Sequence, residues 1–303
     1  MTNNFGEEVK KKLDDIKEEE AWTDWHFAST IWNFNVGKNA REGVHGLEDT
    51  ESVQYHTGRN PDKLYLKTAF AGKLVPHLVR KLIHKYSERG DLILDAFCGS
   101  GTIPVEAKLN GRKCIAIDIN PLCVELTRRK LRLLGVTEQQ TDYQVYQGDA
   151  RDLSNLGTET IDCIITHPPY WGLIDFSRLE NDISNLSLRD YLVSMRAVMG
   201  HFYQLLKPQG FCIIIIGDSR KLGIVPLGSY LIHIGLEAGF NLWDLLIYDT
   251  RFGGKQVHKF RRIKSQQKKF HLTDHDFILI FQKRKQGWQY LKLSEILENK
   301  TKP

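Results

Sequence analysis

A short segment, Thr166-His167-Pro168-Pro169-Tyr170 (the proline turn), carries the side chains best suited to chemistry in this chain. Two consecutive prolines fix the direction of the carbonyl between them and add no competing N–H group. That carbonyl and one nitrogen of His167 could each accept one hydrogen of an amino group, which would orient the lone pair of the amino nitrogen. Tyr170 offers a ring on which a flipped base could stack. We therefore predict four catalytic residues for modification of a nucleobase amine: His167, Pro168, Pro169 and Tyr170.

A second segment, Asp95-Ala-Phe-Cys-Gly-Ser-Gly-Thr102 (the glycine turn), is typical of a bound nucleotide-like ligand. Its glycines let the backbone approach a ligand closely, and the N-terminus of a helix follows. A lone Gly-x-Gly motif is weak evidence for a ligand site, but two acidic residues strengthen the prediction of one. Asp118 ends the next strand, where it could accept bonds from ribose hydroxyls, and Asp149 ends the third, where it could receive an adenine amino group. The alternative for both acids is a loop carboxylate that caps a helix.

Alternating strands and helices have to position these turns. Predicted strands cover residues 91–97, 113–118, 143–146, 161–166, 211–217, 240–248 and 275–281. Predicted helices cover residues 73–87, 101–110, 121–134, 188–206 and 226–238. Strands that alternate with helices of this length indicate an α/β fold with a largely parallel sheet and right-handed crossovers.

The region from Asp95 to Leu131 resembles the donor site of amino-group DNA methyltransferases, which use S-adenosylmethionine. Upstream, Gly72-Lys-Leu-Val-Pro-His-Leu78 resembles their A-K-F-x-P-x-L motif, and Trp25-His-Phe27 resembles a preceding W-x-F. The continuation Trp171-Gly-Leu-Ile-Asp-Phe176 resembles the W-G-L-R-D-Y of enzymes that make N4-methylcytosine, and is the main reason to favour cytosine. The resemblance covers roughly residues 21–283.

The resemblance implies a Rossmann-like methyltransferase fold with a mostly parallel seven-stranded sheet, helices on both faces and an antiparallel last strand. It implies S-adenosylmethionine as cofactor, S-adenosylhomocysteine as product and no metal. The implied cofactor-binding residues are Lys73, Asp95, Phe97, Gly99, Ser100, Gly101, Thr102, Asp118, Ile119, Asp149 and Ala150. The implied function is site-specific methylation of a flipped base in duplex DNA, most favourably at N4 of cytosine, with a cognate restriction endonuclease as a possible partner.

His167 departs from that family pattern, which places Asp, Asn or Ser at this position. A neutral imidazole has one acceptor nitrogen and can replace a carboxylate oxygen only in the right tautomer. An imidazolium would repel both the amine hydrogens and the sulfonium. We therefore expect the rate of methyl transfer to fall below about pH 6.5, where an ordinary histidine gains a proton. A pH–rate profile that stays flat from about pH 5.5 to 8 would exclude this role for His167. The alternative is that the chain is a non-catalytic relative of the family.

A basic segment at residues 251–273 contains eight Lys or Arg and no acidic residue. Such a run is often a solvated loop, but after a base-modifying motif it favours contact with phosphates. The predicted nucleic-acid-binding residues are Trp171, Arg251, Lys255, Lys259, Arg261, Arg262 and Lys264. The residues leave open N6-adenine methylation in DNA, guanine-N2 or adenine-N6 methylation in RNA, protein-glutamine methylation, and a binding module without catalysis.

The composition of the chain indicates its general class. The 303 residues, 41% hydrophobic and 26% charged with a net charge of +5, are typical of a globular chain. We predict an extension at residues 1–65 packed on the core, a methyltransferase domain at 66–285 with the basic insertion, and a tail at 286–303. Five cysteines without metal-site spacing suggest reduced, mostly buried thiols. Apolar runs too short for a bilayer and the polar start predict a cytoplasmic protein without a membrane partner, and nothing indicates an oligomeric state.

Overall fold

The computed structural model describes residues 31–32, 74–137, 139–172, 179, 181–220, 223–250 and 275–284. Most of the N-terminal extension, Lys73, the basic segment and the C-terminal tail lie outside these residues. The domain boundaries predicted from the sequence therefore stay a prediction.

In the described residues, the centre of the fold is an eight-stranded sheet. Its strands are β1 (Ile31–Trp32), β2 (Leu92–Asp95), β3 (Lys113–Asp118), β4 (Tyr143–Gln147), β5 (Ile161–Thr166), β6 (Leu206–Ile216), β9 (Asn241–Asp249) and β10 (His275–Gln282). Across the sheet they follow the order β1-β9-β10-β6-β5-β2-β3-β4. Every pairing is parallel except those of β10, which runs antiparallel to both β6 and β9. Strands β7 (Ser219–Arg220) and β8 (Ile224–Val225) form a separate ribbon. The predicted Rossmann-like fold with an antiparallel last strand is confirmed.

Five α-helices cover the two faces of the sheet in the described part of the chain. They are α1 (Pro76–Tyr86), α2 (Thr102–Leu109), α3 (Pro121–Leu133), α4 (Leu188–Leu205) and α5 (Leu227–Glu237). Helices α1 to α3 share one hydrophobic cluster with the sheet, and α4 and α5 share the other. In β6 the isoleucines alternate between them, because successive side chains of a strand point to opposite faces: Ile213 and Ile215 join the first cluster, Ile214 and Ile216 the second.

Three features differ from the prediction. The two-residue β1 adds an eighth strand, and its short length gives no alternation that a sequence would show. Strand β6 begins at Leu206, five residues early, with an irregular register opposite Ile161 to Cys163. Helix α1 begins at Pro76, since proline suits a first helical turn but interrupts a longer helix.

The described residues hold no group of three or more His, Cys, Asp or Glu side chains placed to bind a metal ion. None of the helices in that part of the chain combines the length and apolar character needed to cross a membrane. All five cysteines are unpaired and buried, as predicted.

Candidate active site

The glycine turn joins β2 to α2 and is held from the side by α3. Gly99 and Gly101 both have positive φ, 49° and 82°, which favours glycine. Among the described residues, a Cβ on Gly99 would approach only the Phe97 carbonyl oxygen, at 4.0 Å, so these residues leave this face of the turn open to a ligand. From α3, Thr127 Oγ1 donates to the Gly99 carbonyl at 3.3 Å, and the buried Lys130 ammonium donates to the Ser100 carbonyl. The turn is therefore shaped before a ligand binds.

Gly101 differs from Gly99 because its missing side chain faces α3. A Cβ there would lie 2.6 Å from Thr127 Oγ1, whereas a Cβ on Gly90, with a similar φ of 91°, would meet no atom of the described residues within 4 Å. We expect Gly90→Ala to cost about 1–2 kcal/mol of stability from backbone strain alone. Gly101→Ala should cost roughly 1–3 kcal/mol more, because the helix has to move. Urea unfolding of the two variants measures this difference in stability. Equal losses of stability would show that the contact with Thr127 does not constrain the turn.

Asp95 connects the two turns. Its Oδ1 accepts a bond from Thr166 Oγ1 at 2.8 Å and a longer one from the Phe97 amide at 3.3 Å. Its Oδ2 is closed off from solvent and has no hydrogen-bond partner in the described structure. Burial, with a smaller contribution from the nearby charge of Asp118, raises the pKa of Asp95 to about 7. An orphaned carboxylate oxygen beside an open glycine turn fits a ligand that carries N–H donors.

Asp118 lies at the end of β3 and is tied to the glycine turn. Its Oδ2 accepts from the Gly99 amide and its Oδ1 from the Asn120 amide, both at 2.8 Å. Burial raises the pKa of Asp118, although these two bonds oppose the shift. Asn120, not Asp118, caps α3 through its side chain, so the capping alternative does not account for Asp118.

Asp149 lies one strand further along and is paired with Arg151. The Arg151 guanidinium contacts both carboxylate oxygens, with Nε 3.0 Å from each. Partial burial opposes ionisation, but the Arg151 bonds outweigh it and lower the pKa of Asp149. A base amine at this position would share the carboxylate with Arg151.

The proline turn follows β5, next to β2 in the sheet, so both turns lie at the same edge. His167 is half-buried, and its Nε2 lies 3.0 Å from the Tyr170 hydroxyl. The two rings meet edge to face, with centroids 5.3 Å apart. The Pro169 carbonyl accepts a 3.0 Å bond from the Tyr191 hydroxyl of α4. That carbonyl is already engaged, which fits the assignment of the Pro168 carbonyl to the substrate.

Tyr170 is only 7% exposed and belongs to the core cluster under α4. Gly217 after β6 and the Asp276 carboxylate at the start of β10 lie beside this ring, since a Cβ on Gly217 would clash with both the ring and the carboxylate. Burial, and next the Asp276 charge, raise the pKa of Tyr170 well above its ordinary value. The phenol is therefore neutral, and stacking on a base would use only the exposed edge of the ring.

Among the other predicted site residues, Phe97, Gly99 and Ile119 are half-buried, and Ser100, Thr102 and Ala150 are buried. All lie at the edge that carries both turns. Trp171 is half-buried, and its indole N–H donates to the Leu186 carbonyl at 2.9 Å. The other predicted nucleic-acid contacts and Lys73 lie outside the described residues.

The structure adds residues that sequence reasoning did not select. Asp276 is a lone acid at the start of an otherwise apolar strand, a signal that could have marked it. Thr127, Lys130 and Tyr191 carry no comparable signal, since their roles depend on which elements are neighbours. The sequence Gly217-Asp-Ser-Arg220 after β6 suits either the border of a base pocket or a capped helix start. Asp218 Oδ1 accepts from the Gly228 amide near the start of α5, at 3.1 Å.

Known proteins share this fold and parts of this sequence. A tRNA (guanine(10)-N2)-dimethyltransferase of Methanothermobacter thermautotrophicus is 40% identical over 102 residues, 33% of this chain and 29% of that protein. The type II methyltransferase M.SmaI of Serratia marcescens is 32% identical over 81 residues, 26% of this chain and 28% of that protein. The chain thus spans less than a third of the length of either relative. TrmN from Thermus thermophilus superposes with a TM-score of 0.50 at 20% identity, covering 75% of this chain and 53% of that chain, which shows the fold.

Two family profiles also match the chain. The general profile described as "Methyltransferase domain" covers residues 87–226, and that of the N6/N4 methyltransferases, described as "DNA methylase", covers residues 3–129 and 161–303. Fold and family together confirm S-adenosylmethionine as the cofactor. Since the second profile spans well over half of the 303 residues, this chain belongs to the DNA methylase family of N6/N4 methyltransferases.

Proposed function

We propose that this chain transfers a methyl group from S-adenosylmethionine to the exocyclic amino nitrogen of a nucleobase, most favourably N4 of cytosine in DNA. One contact carries the proposal: Thr166 Oγ1 donates to Asp95 Oδ1 at 2.8 Å. This bond joins the glycine turn, where the methyl donor would bind, to the proline turn, where the amine would be held. A donor and an acceptor held on adjacent strand ends meet the proximity requirement for direct transfer.

In this proposal, each of three acidic side chains binds a different part of the cofactor. Asp95 Oδ2 would accept from the ammonium group, Asp118 from the ribose hydroxyls, and Asp149 from the adenine amine. When bound, S-adenosylmethionine supplies an electrophilic methyl group on its sulfonium sulfur. No side chain needs to form a covalent bond to the base.

The proline turn orients the amine. His167 and the Pro168 carbonyl would each accept one amino hydrogen, which directs the nitrogen lone pair towards the methyl group. Tyr191 supports the turn by its bond to the Pro169 carbonyl. The methylated amine then loses one hydrogen as a proton.

Three observations favour DNA as the substrate: the family profile, the similarity to a type II methyltransferase, and the sequence Trp171-Gly-Leu-Ile-Asp-Phe176 that follows the proline turn. The basic segment supports a nucleic acid in general. The described residues that flank it, Asp249 and His275, are register partners on β9 and β10. Both flanking residues lie at the edge of the sheet that carries the two turns. A flipped base in duplex DNA, a cognate restriction endonuclease and a cytoplasmic location belong to this proposal.

A second candidate is methylation of guanine N2 in tRNA. It is favoured by the tRNA (guanine(10)-N2)-dimethyltransferase relative, which has the higher identity of the two relatives described above. Guanine N2 is also an exocyclic amine conjugated with its ring, so the same proline turn would serve it.

Methyl-labelled S-adenosylmethionine with four acceptors separates these functions: duplex DNA without prior methylation, single-stranded DNA, unmodified tRNA and total protein. We expect transfer to duplex DNA. Transfer to tRNA alone would replace the leading proposal by the second candidate. Transfer to protein, or to none of the four while the donor still binds, would reject amino methylation of nucleic acid.

Tyr170→Phe is the variant that locates the acceptor site, because removal of the whole buried ring would also leave a cavity. Tyr86→Phe is its matched control, since Tyr86 is also 7% exposed but packs on the other face and its hydroxyl has no partner in the described structure. We expect only the first to slow transfer, by about 10- to 100-fold, with donor binding unchanged.

A further inference from the structure

The glycine turn contains one backbone amide, that of Ser100, which finds no acceptor within the described part of the chain. The other four amides from Phe97 to Gly101 are engaged: in chain order they donate to Asp95 Oδ1, the Ile117 carbonyl, Asp118 Oδ2 and the Cys98 carbonyl. Ser100 is only 8% exposed, so its N–H has little access to water. A buried N–H without an acceptor is rare in folded proteins, because it loses its bonds to water without replacement. This donor is therefore available to a ligand.

Helix α3 sets the direction of this amide. Thr127 Oγ1 donates to the Gly99 carbonyl at 3.3 Å, and the Lys130 ammonium donates to the Ser100 carbonyl. In a trans peptide the carbonyl and the following N–H point in opposite directions, and none of the described peptide bonds is cis. Because the Gly99 carbonyl faces α3, the Ser100 N–H points away from that helix.

The two side chains of α3 that hold these carbonyls are both buried. Thr127 is fully enclosed and Lys130 is 5% exposed. Thr127 Oγ1 also lies 3.7 Å from Cys98 Sγ, so the hydroxyl is held on a second side. Burial of an ammonium group costs free energy unless acceptors replace its water, and the Ser100 carbonyl is such an acceptor. A buried lysine of this kind constrains the turn more tightly than a solvated one.

We propose that Thr127 and Lys130 are positioning residues that aim the Ser100 N–H at an acceptor oxygen of S-adenosylmethionine. Neither side chain touches the cofactor in this proposal, since each acts through a backbone carbonyl of the glycine turn. The inference rests on the cofactor alone and not on the identity of the methyl acceptor. It is therefore independent of whether the proposed target is DNA, tRNA or neither.

Nitrogen NMR on the full chain tests the aim of the Ser100 amide directly. The protein is labelled with 15N-serine, a Ser100→Ala variant assigns the signal, and S-adenosylhomocysteine is the probe because it has no methyl group to transfer. We expect the Ser100 amide proton to move downfield when the probe saturates the wild type, as a new hydrogen bond forms. Thr127→Ser keeps the hydroxyl and should show the same shift, whereas Thr127→Val keeps the shape only and should show a smaller one.

Calorimetric titration with the same probe tests Lys130. We expect Lys130→Met to weaken binding by about tenfold, the contribution of one well-placed hydrogen bond. Lys283→Met is the matched control, because Lys283 is also buried at 7% exposed and its ammonium donates to the Leu206 carbonyl at 2.8 Å. Lys283 lies at the opposite edge of the sheet and also contacts Glu159 Oε1 at 3.1 Å. Both variants should lose stability in urea, but only Lys130→Met should lose affinity.

A Ser100 amide signal that does not move when the probe binds to the wild type would overturn the inference, even if no variant folds. The inference also fails if Lys130→Met and Thr127→Val are destabilised but keep the wild-type affinity, since α3 would then only support the fold. If the shift and the affinities are as expected but the wild type methylates no nucleic acid, the positioning by α3 stands and the proposed function fails.

Discussion

Asp95→Asn is expected to weaken binding of S-adenosylmethionine at pH 8 by about 100-fold, the loss of a charge-assisted hydrogen bond, and to stabilise the donor-free protein at the same pH. Both effects come from one atom: the buried Oδ2, which has no partner in the described structure. An ionised carboxylate there costs free energy until a ligand donor reaches it.

The stability effect has a defined dependence on pH. Burial raises the pKa of Asp95 to about 7 in the folded protein, compared with about 3.9 in an unfolded chain. The stabilising contribution of protonated Asp95 is therefore complete below about pH 4 and is lost as the pH rises through about 7. The asparagine side chain in the variant does not titrate, so the stability of the variant relative to wild type should rise by about 2–3 kcal/mol between pH 5 and pH 8.

Urea unfolding of the donor-free proteins at the two pH values measures this difference, and calorimetric titration measures donor affinity. Glu106→Gln is the control, because Glu106 is also fully buried but is paired with Arg80 Nε at 3.0 Å. That variant should be less stable than wild type at pH 8, the opposite sign to Asp95→Asn. Unchanged donor affinity in Asp95→Asn would remove Asp95 from the cofactor site.

The second large effect is expected at His167. His167→Leu removes the acceptor and should slow methyl transfer by about 100- to 1000-fold. His167→Asn returns a residue of the family pattern, since its amide can donate to Tyr170 and its oxygen can accept an amino hydrogen. This variant should keep the rate within about tenfold of wild type.

The pH profile separates the chemical role from packing. With S-adenosylmethionine at saturation, so that the titration of Asp95 does not limit donor binding, wild-type transfer should fall below about pH 6.5. His167→Asn should then be flat from about pH 5.5 to 8, because asparagine does not titrate. His233→Asn, on the exposed face of α5, is the matched control and should leave rate and profile unchanged. A wild-type profile identical to that of His167→Asn would show that the imidazole does not contact the amine.

Much of the fold follows from local sequence patterns. Alternation and glycine turns place β2, β3 and β5 and the carboxylates at their ends, because parallel strands bring their carboxyl ends to one edge. The position of the two turns at the same edge of the sheet was also predictable, since each turn follows a strand. Their direct bond through Thr166 was not, as it depends on β2 and β5 being neighbours.

The surroundings of Tyr170 show where sequence reasoning stops. The motif predicts an aromatic ring for stacking, but not that the ring is buried or that the Asp276 carboxylate, more than a hundred residues later, lies beside it. That contact needs β10 to enter the sheet antiparallel beside β6. No periodicity within β10 encodes its neighbour, so the approach of Asp276 to Tyr170 emerges only from the assembled sheet.

The central claim, methyl transfer to an exocyclic amine, is tested most directly by the position of the methyl group on the base. Unmethylated duplex DNA is incubated with the protein and S-adenosylmethionine, digested to nucleosides and separated by chromatography with mass spectrometry. We expect N4-methylcytosine, and far less of it in the same incubation time when Asp95→Asn or His167→Leu replaces the wild type. A 5-methylcytosine product, or no methylated nucleoside from DNA or tRNA despite donor binding, would contradict the proposed amine-directed chemistry.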